Sequence, residues 1–498
     1  MSQIRYFAGS FTWVVIAKVS DAIVKFFSIP LMLKYFGKDN YGILILVIST
    51  NAYMDLLDLG INTGAIKYFS QWIGEKKYTL IQSASRTSMS FYLIIGIINS
   101  LILILLAIFG RHLFNVTQLQ YGLLQKMFFI LAFYCIINWS TSIFNQLLIA
   151  DEKIQFLQYI NIVKSVINFL LIFVTISFKF SLVTYFFLSL TINSMVLIPY
   201  YIKAKRSNLI KSFIPGIDWQ SFKPILLYSI AIFAMGIFQF TATQSRPLVL
   251  GMFNTSGSII LTEYRIVEVF PLFIISIGGM IITILLPITS KFIILNQQDK
   301  IAEMAYKGTI FTSILILILC FPIIINSHDI LTLYVGHEYA FLATWLNLWI
   351  FTIILYLHNS PVASLVLSTG KTKMLVYSSA IACVISIVIN AALCKSVGVG
   401  SAVIGYFVYI LIQMSFYYLY FNNKILNLKS FKVFKSFLVP TSIAVIACGP
   451  VYLIDTNSLT LFQTIIIKST LWFAIFIAFL LIFKVINFKK ISPYFRKL

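Results

Sequence analysis

About fourteen apolar runs of roughly 18 to 25 residues, separated by short polar breaks, constrain this chain more than any motif in it. They lie near 11–33, 41–62, 88–109, 122–149, 154–177, 181–202, 225–250, 259–286, 307–326, 341–369, 374–394, 399–421, 437–454 and 461–486. In a bilayer such runs must satisfy their backbone groups internally, so each is expected to be a helix. The fold class is therefore an all-α integral membrane protein with about 14 transmembrane helices. Only 10% of residues are charged and 60% are hydrophobic, whereas about a quarter of residues are charged in soluble domains. The connection at 111–122 is among the longest outward ones, so no separate soluble domain is expected.

Lys and Arg number 37 against 15 Asp and Glu, a net charge of +22. An excess of this size raises nucleic acid as a partner, but its distribution points elsewhere. With both termini placed in the cytoplasm, inner loops and tails carry 25 of the cations, outer loops carry five and seven lie inside the runs. This is the positive-inside pattern, and one miscounted helix would invert every loop after it. Nucleic acid is not needed to explain the charge. Anionic membrane lipids are the expected partners of the inner lysines, at about 1 kcal/mol for each one near the surface. Cys135, Cys320, Cys383, Cys394 and Cys448 are scattered, with no metal-ligand spacing. No disulfide framework, metal site or cofactor is indicated. Arg5 precedes the first run without a small-residue cleavage site, so that run reads as a retained helix.

The first run carries Lys18, Asp21, Lys25 and Ser28 at steps of three and four, on one helical face. A charge at the bilayer centre costs roughly 2.5 to 3.5 kcal/mol on insertion scales, so such a stripe is expected to line a polar pathway. The competing reading is an Asp21–Lys25 pair that neutralises itself and holds two helices together. Other runs carry similar faces: Asn51, Asp55, Asp58 and Asn62; Asn161, Lys164 and Asn168; Gln239, Thr243 and Arg246; Glu263, Arg265 and Glu268. Asn138 and Asn145 mark the fourth run, and His358 and Asn359 lie near the middle of the tenth. His358 fits a proton-responsive group, although a hydrogen-bonded core histidine is the simpler reading.

Shifting the chain against itself by about 217 to 222 residues pairs VINFLL at 166–171 with VINAAL at 388–393, 150–153 with 369–373, and 57–61 with 276–280. Six runs per unit preserve orientation, which makes the halves parallel repeats, an arrangement that places a substrate cavity between two bundles. The expected organisation is an N-terminal six-helix bundle (1–206), a cytoplasmic linker (207–223), a C-terminal six-helix bundle (224–421), and helices 13 and 14 with a basic cytoplasmic tail (422–498).

The FGKDNYG turn at 36–42, the LLDLGIN segment at 56–62 and the GVGSAVIG segment at 398–405 resemble the polysaccharide-exporter family, the O-antigen or capsular repeat-unit flippases, of the multidrug/oligosaccharidyl-lipid/polysaccharide superfamily. The resemblance covers essentially the whole chain through its layout of twelve plus two helices. It implies two bundles around a V-shaped cavity with alternating access. It implies translocation of undecaprenyl-diphosphate-linked oligosaccharide repeat units across a bacterial inner membrane, in polysaccharide or lipopolysaccharide biosynthesis, and it leaves room for other polysaccharide-assembly proteins as partners.

A diphosphate needs cations along its route. Lys18, Lys25, Lys164, Arg246 and Arg265 are the candidate substrate-binding residues, with Lys25 foremost. Arg246 reads equally well as a helix anchor, and Lys164 as a snorkelling side chain. Asp21, Asp58, Glu263 and Glu268 are the candidate proton-coupling acids, since an acid facing a cavity between cations can take up a proton in one conformation and release it in another. No catalytic residue is assigned. A polymerase or glycosyltransferase would need acids or arginines on a sizeable outward segment, and those at 110–121 and 327–340 offer only Arg111, His112, Asp329, His337 and Glu338, with His328, as acidic or basic side chains. A cation-coupled multidrug antiporter of the same fold is the alternative, weakened by five candidate cations against five acids inside the runs.

Overall fold

A computed structural model describes residues 3–54, 60–371, 373–454 and 459–485. The described chain is helical with no strand, and ten of its helices are long and apolar enough to cross a membrane. By contacts it groups into two units, one of residues 1–265 with 391–399 and the other of 266–390 with 400–498.

In the first unit, α1 (Gln3–Met54) carries the first two apolar runs and is broken at Gly37, where φ is 77° and ψ 163°. That conformation suits glycine, because a Cβ would be strained there. Five residues on, a Cβ on Gly42 would lie 1.9 Å from the Ser258 carbonyl oxygen, so the absent side chain lets two backbones touch. The same device recurs in α2 (Ile61–Gly74). There a Cβ on Gly64 would lie 2.7 Å from the carbonyl oxygen of Ile225, in α8 (Trp219–Phe253).

The hairpin of α3 (Tyr78–Phe109) and α4 (Gln118–Ala150) is closed by a capping box. Gln120 N donates to Thr117 Oγ1 at 3.3 Å, and Thr117 N donates to Gln120 Oε1 at 3.0 Å. These bonds satisfy helix-end donors that the bilayer interface would otherwise have to solvate. Tyr92, Leu103, Leu124 and Phe128 are buried in the hairpin, and Gln146 Nε2 donates to the Tyr92 hydroxyl. Next come α5 (Ile154–Ser177), α6 (Leu182–Met195) and α7 (Leu197–Arg206).

The segment after α7, expected as a linker at 207–223, is strapped to the first turns of α3. Gln82 Nε2 donates to the Asn208 carbonyl at 3.0 Å, Arg86 Nε to the Ile214 carbonyl at 3.2 Å and Ser90 Oγ to the Gly216 carbonyl at 2.8 Å. Asp218 then caps α8, its side chain accepting from Ser221 N, while Ser83 donates to its other carboxylate oxygen. The Ser83 hydroxyl foremost, with Ser221, holds the Asp218 carboxyl below its ordinary value.

Helix α9 (Ile259–Ile294) runs from the first unit into the second. The second unit continues with α10 (Gln298–Glu303), a π turn at Met304–Gly308, α11 (Thr309–Ile325), α12 (Ser327–Val335), α13 (Ala343–Leu357), α14 (Ser360–Ser368), α15 (Lys373–Val397), α16 (Val399–Phe416), α17 (Ser430–Ile446), α18 (Cys448–Tyr452) and α19 (Leu461–Ile482). Part of α15 and the start of α16 belong to the first unit. Trp472 holds α19 in place: its ring stacks on Phe321 and Phe476 at 5.2 and 4.9 Å, and its Nε1 donates to the Ala444 carbonyl at 3.1 Å. His358 is 2% exposed, stacked on Phe437 at 4.0 Å and bonded through Nε2 to the Tyr418 hydroxyl at 2.9 Å. It is built as a core histidine rather than a cavity group. Lys468, near the start of the last run, sits 3.9 Å from Asp329.

Gly42→Ala is expected to destabilise the folded protein by about 1 to 3 kcal/mol, since backbone must shift to admit the methyl group, read as a lower unfolding temperature in detergent. Because the folded Asp218 carboxyl is held low, its contribution is complete above the unfolded value of about 3.9 and is lost as pH falls through the lower folded value. Asp218→Asn is expected to lower the unfolding temperature at neutral pH and to narrow the gap from the parent under acidic conditions. A gap that does not change with pH would remove the charge from the strap's stability.

Candidate functional site

The candidate site is a cavity of about 510 Å³ lying wholly within the first unit, inside the usual size of small-molecule sites. Helix α1 supplies Asp21, Lys25 and Ser28 from one side of the Gly37 break, and Tyr41 and Asn51 from the other. Helix α5 supplies Lys164, Ser165 and Asn168, and Arg265 comes from α9. The steps of three and four that place the α1 stripe on one face thus direct it into a shared space. Apolar residues, among them Met32, Leu44, Leu131 and Phe186, complete the wall.

Asp21 and Lys25 form the expected ion pair, with Lys25 Nζ 2.7 Å from Asp21 Oδ2. Their side chains nevertheless remain 46% and 56% exposed. Ser165 Oγ donates to the other Asp21 oxygen at 3.4 Å, tying α5 to α1. Lys164, half-buried, feels the charges of both Asp21 and Lys25. The cavity therefore brings three cations to one acid, and the excess is positive. An accessible pair of this kind contributes little to stability, because solvent screens it. It remains available to a ligand.

The opposite wall is polar and uncharged. Ser189 Oγ donates to Asn168 Oδ1 at 2.8 Å, and Asn168 Nδ2 donates to Asn193 Oδ1 at 3.2 Å, which joins α5 to α6. Tyr185, Ser189 and Asn193, all lining the cavity, form a stripe at steps of four on α6. This stripe holds no charge, so in the sequence only its spacing sets it apart.

The other predicted residues lie elsewhere. Lys18 is exposed on α1, one turn before Asp21, and is not among the lining residues. Arg246 is 4% exposed on α8, and its Nε donates to the Thr243 carbonyl of its own helix at 3.2 Å. Glu263 is half-buried on α9 and feels Lys38, while Glu268 belongs to the second unit. Asp58 and Asp55 lie outside the described residues. Among the described residues no cluster of His, Cys, Asp and Glu could hold a metal ion.

No family model matches the chain, and no curated protein does. Solved structures do. The chain is similar to the lipid II flippase MurJ in an inward closed conformation, at 15% identity, covering 94% of this chain and 98% of that one with a TM-score of 0.73. It is also similar to an inward-facing multidrug resistance MATE transporter of the MOP superfamily, at 14% identity over 85% and 96% of the two chains with a TM-score of 0.61. The chain has the MOP-superfamily fold. A eukaryotic MATE transporter extends the likeness, at 15% identity over 87% and 97% with a TM-score of 0.54. These neighbours are transporters and flippases, and at such identities the MOP fold is what they share with this chain.

If the cavity binds anions through Lys25 and Lys164, inorganic pyrophosphate should protect a thiol placed there by Ser28→Cys from maleimide. Adding Lys25→Ala or Lys164→Ala should weaken that protection by roughly tenfold to a hundredfold for each lysine removed, since charge-assisted bonds are worth about 1.5 to 3 kcal/mol each. Equal protection in the presence and absence of the two lysines would separate the cavity from anion binding.

Proposed function

We propose that this protein is a flippase that moves oligosaccharide repeat units linked to undecaprenyl diphosphate from the inner to the outer leaflet of a bacterial cytoplasmic membrane, by alternating access. The observation that carries the reading is the convergence of Lys25, Lys164 and Arg265 with a single acid, Asp21, in one cavity. A diphosphate carries several negative charges, and cations at membrane depth offset the cost of taking it out of water. Lysines act there as point charges, while Arg265 offers a planar fork to phosphate oxygens. The hydroxyl and amide groups of Ser189, Asn168 and Asn193 suit the first sugar hydroxyls beyond the diphosphate. The likeness to MurJ, itself described as a lipid II flippase, supports a lipid-linked substrate.

The reading includes both termini in the cytoplasm, as the loop charges indicate, and two six-helix bundles at 1–206 and 224–421 followed by helices 13 and 14. Asp21 is its first proton-coupling residue, because among the described candidate acids it alone lines the cavity. The MATE likeness favours a second reading, a multidrug antiporter of the same fold. The two differ in cavity charge: a cationic drug is repelled by Lys25, Lys164 and Arg265, and a diphosphate is attracted.

Deleting the gene in a host that builds a lipid-linked glycan should trap the lipid-linked units in the cytoplasmic leaflet. Complementation with Lys25→Ala should fail at normal protein level, with transport reduced at least about tenfold. Normal glycan display after deletion, with no compensating transporter, would overturn the flippase reading. Restored resistance to cationic drugs by the parent chain, without restored glycan export, would establish the antiporter instead.

A further inference from the structure

The second unit carries another cavity, with a different chemistry. It is a groove of about 590 Å³ between the end of α9 and the start of the membrane-crossing helical segment Gln298–Ile325. Its floor is apolar: Leu285 and Phe292 from α9 face Met304, Phe311 and Leu315. Phe311 is 69% exposed, a large ring left on the surface of a helix that lies in lipid. One end of the groove is charged, with Lys300, Glu303 and Lys307 all lining it.

The order of these residues matters more than their number. Lys300 and Glu303 precede the apolar stretch of that helix, whereas Phe311 and Leu315 lie inside it. The charged end is thus at the depth of lipid headgroups and the apolar end at the depth of acyl chains. Lys307 Nζ lies 2.5 Å from Glu303 Oε1, and Lys300 Nζ lies 5.7 Å from the centre of the Phe292 ring. Both ammonium groups therefore stay beside the groove rather than pointing away along the helix. The π turn at Met304–Gly308 follows Lys300 and contains Lys307. It adds a residue to one turn of the helix, as π turns do where a helix face has been adapted to a ligand. Gly308 lines the groove and also approaches α14 so closely that a Cβ would lie 3.2 Å from Pro361. The widened turn is therefore held against α14 at the edge of the groove.

We infer that this groove is a binding site for one anionic glycerophospholipid, its phosphate at Lys300 and Lys307 and an acyl chain along Phe292, Phe311 and Leu315. The charge decides the class. Two lysines against one glutamate leave a positive end that matches a phosphodiester with no cationic group of its own, and that gives a zwitterionic lipid less. Glu303 holds Lys307 at the rim in the absence of lipid, and a phosphate can share that ammonium with it. The inference is independent of what the first unit transports.

Native mass spectrometry of the full-length protein in detergent tests it, with added phosphatidylglycerol or phosphatidylcholine. The parent chain should retain one phosphatidylglycerol more tightly than phosphatidylcholine. Lys300→Gln with Lys307→Gln should weaken that binding by about tenfold to thirtyfold, as expected for two interfacial lysines, and leave phosphatidylcholine binding as it was. Leu315→Trp, which fills the apolar end, should weaken phosphatidylglycerol binding with both lysines present. An unchanged unfolding temperature without added lipid shows that the variants are folded. Phosphatidylglycerol affinity within twofold of the parent in the double variant would overturn the site. So would displacement of the lipid by inorganic phosphate at equal concentration, which would make this an ion site rather than a lipid groove.

Discussion

An ionised side chain at membrane depth must find a partner or water, and most of this protein's arrangement follows from how each such group is treated. His358 and Lys25 show the two solutions. His358 is sealed between Phe437, Tyr418 and its own helix, with both ring nitrogens engaged. Lys25 touches Asp21 yet leaves more than half of its side chain exposed to the cavity. The first is a packing element and the second stays open to the cavity. Arg246 is treated as His358 is, buried and bonded along its helix.

Presenting charge in this way demands rigid walls, and the backbone supplies them. Gly37 turns α1 without unfolding it, so residues on both sides of the break line the same space. Gly42 and Gly64 bring helices to within backbone contact, and at such separations van der Waals packing replaces the hydrophobic drive that lipid cannot give. The strap over α3 completes the first unit on the polar side. Hydrogen bonds from Gln82, Arg86 and Ser90 make residues 208–216 part of that unit rather than a free connection.

Periodicity and hydropathy made the helices legible, and the α5 run matched its helix at both ends. They also made Asp21, Lys25, Lys164 and Arg265 legible, because a charge inside an apolar run is conspicuous at any resolution of reading. Tyr185, Ser189 and Asn193 were less visible: small polar residues are common at helix interfaces in membranes, so their stripe carries little information until a neighbour such as Asn168 is seen to bond it. The separation of Lys25 from Lys18 was also out of reach. The two share a helical face, and only the arrangement of α5 and α6 determines which of them has a wall opposite. The π turn that holds Lys307 left no trace in the apolar pattern, since one added residue shifts that pattern by less than the uncertainty of a run boundary.

The Asp21–Lys25 pair also bears on how transport would be driven in the flippase reading. A proton on Asp21 removes the competitor for the Lys25 ammonium, so proton and anion favour each other's binding, and linkage makes the effect reciprocal. Ligands that help each other bind are carried most readily in the same direction, whereas exchange across a membrane requires that they exclude each other. A proton gradient directed inward would then oppose export through this pair alone. The membrane potential acts the other way: an inside-negative potential of 100 mV favours outward movement of each negative charge by about 2.3 kcal/mol. Three cations against one acid leave a net charge of +2, which offsets the two charges of a diphosphate substituted at both ends while it is bound. In the flippase reading the cavity charge therefore governs the affinity for the anion, and the charge carried across governs the force that the potential exerts on it.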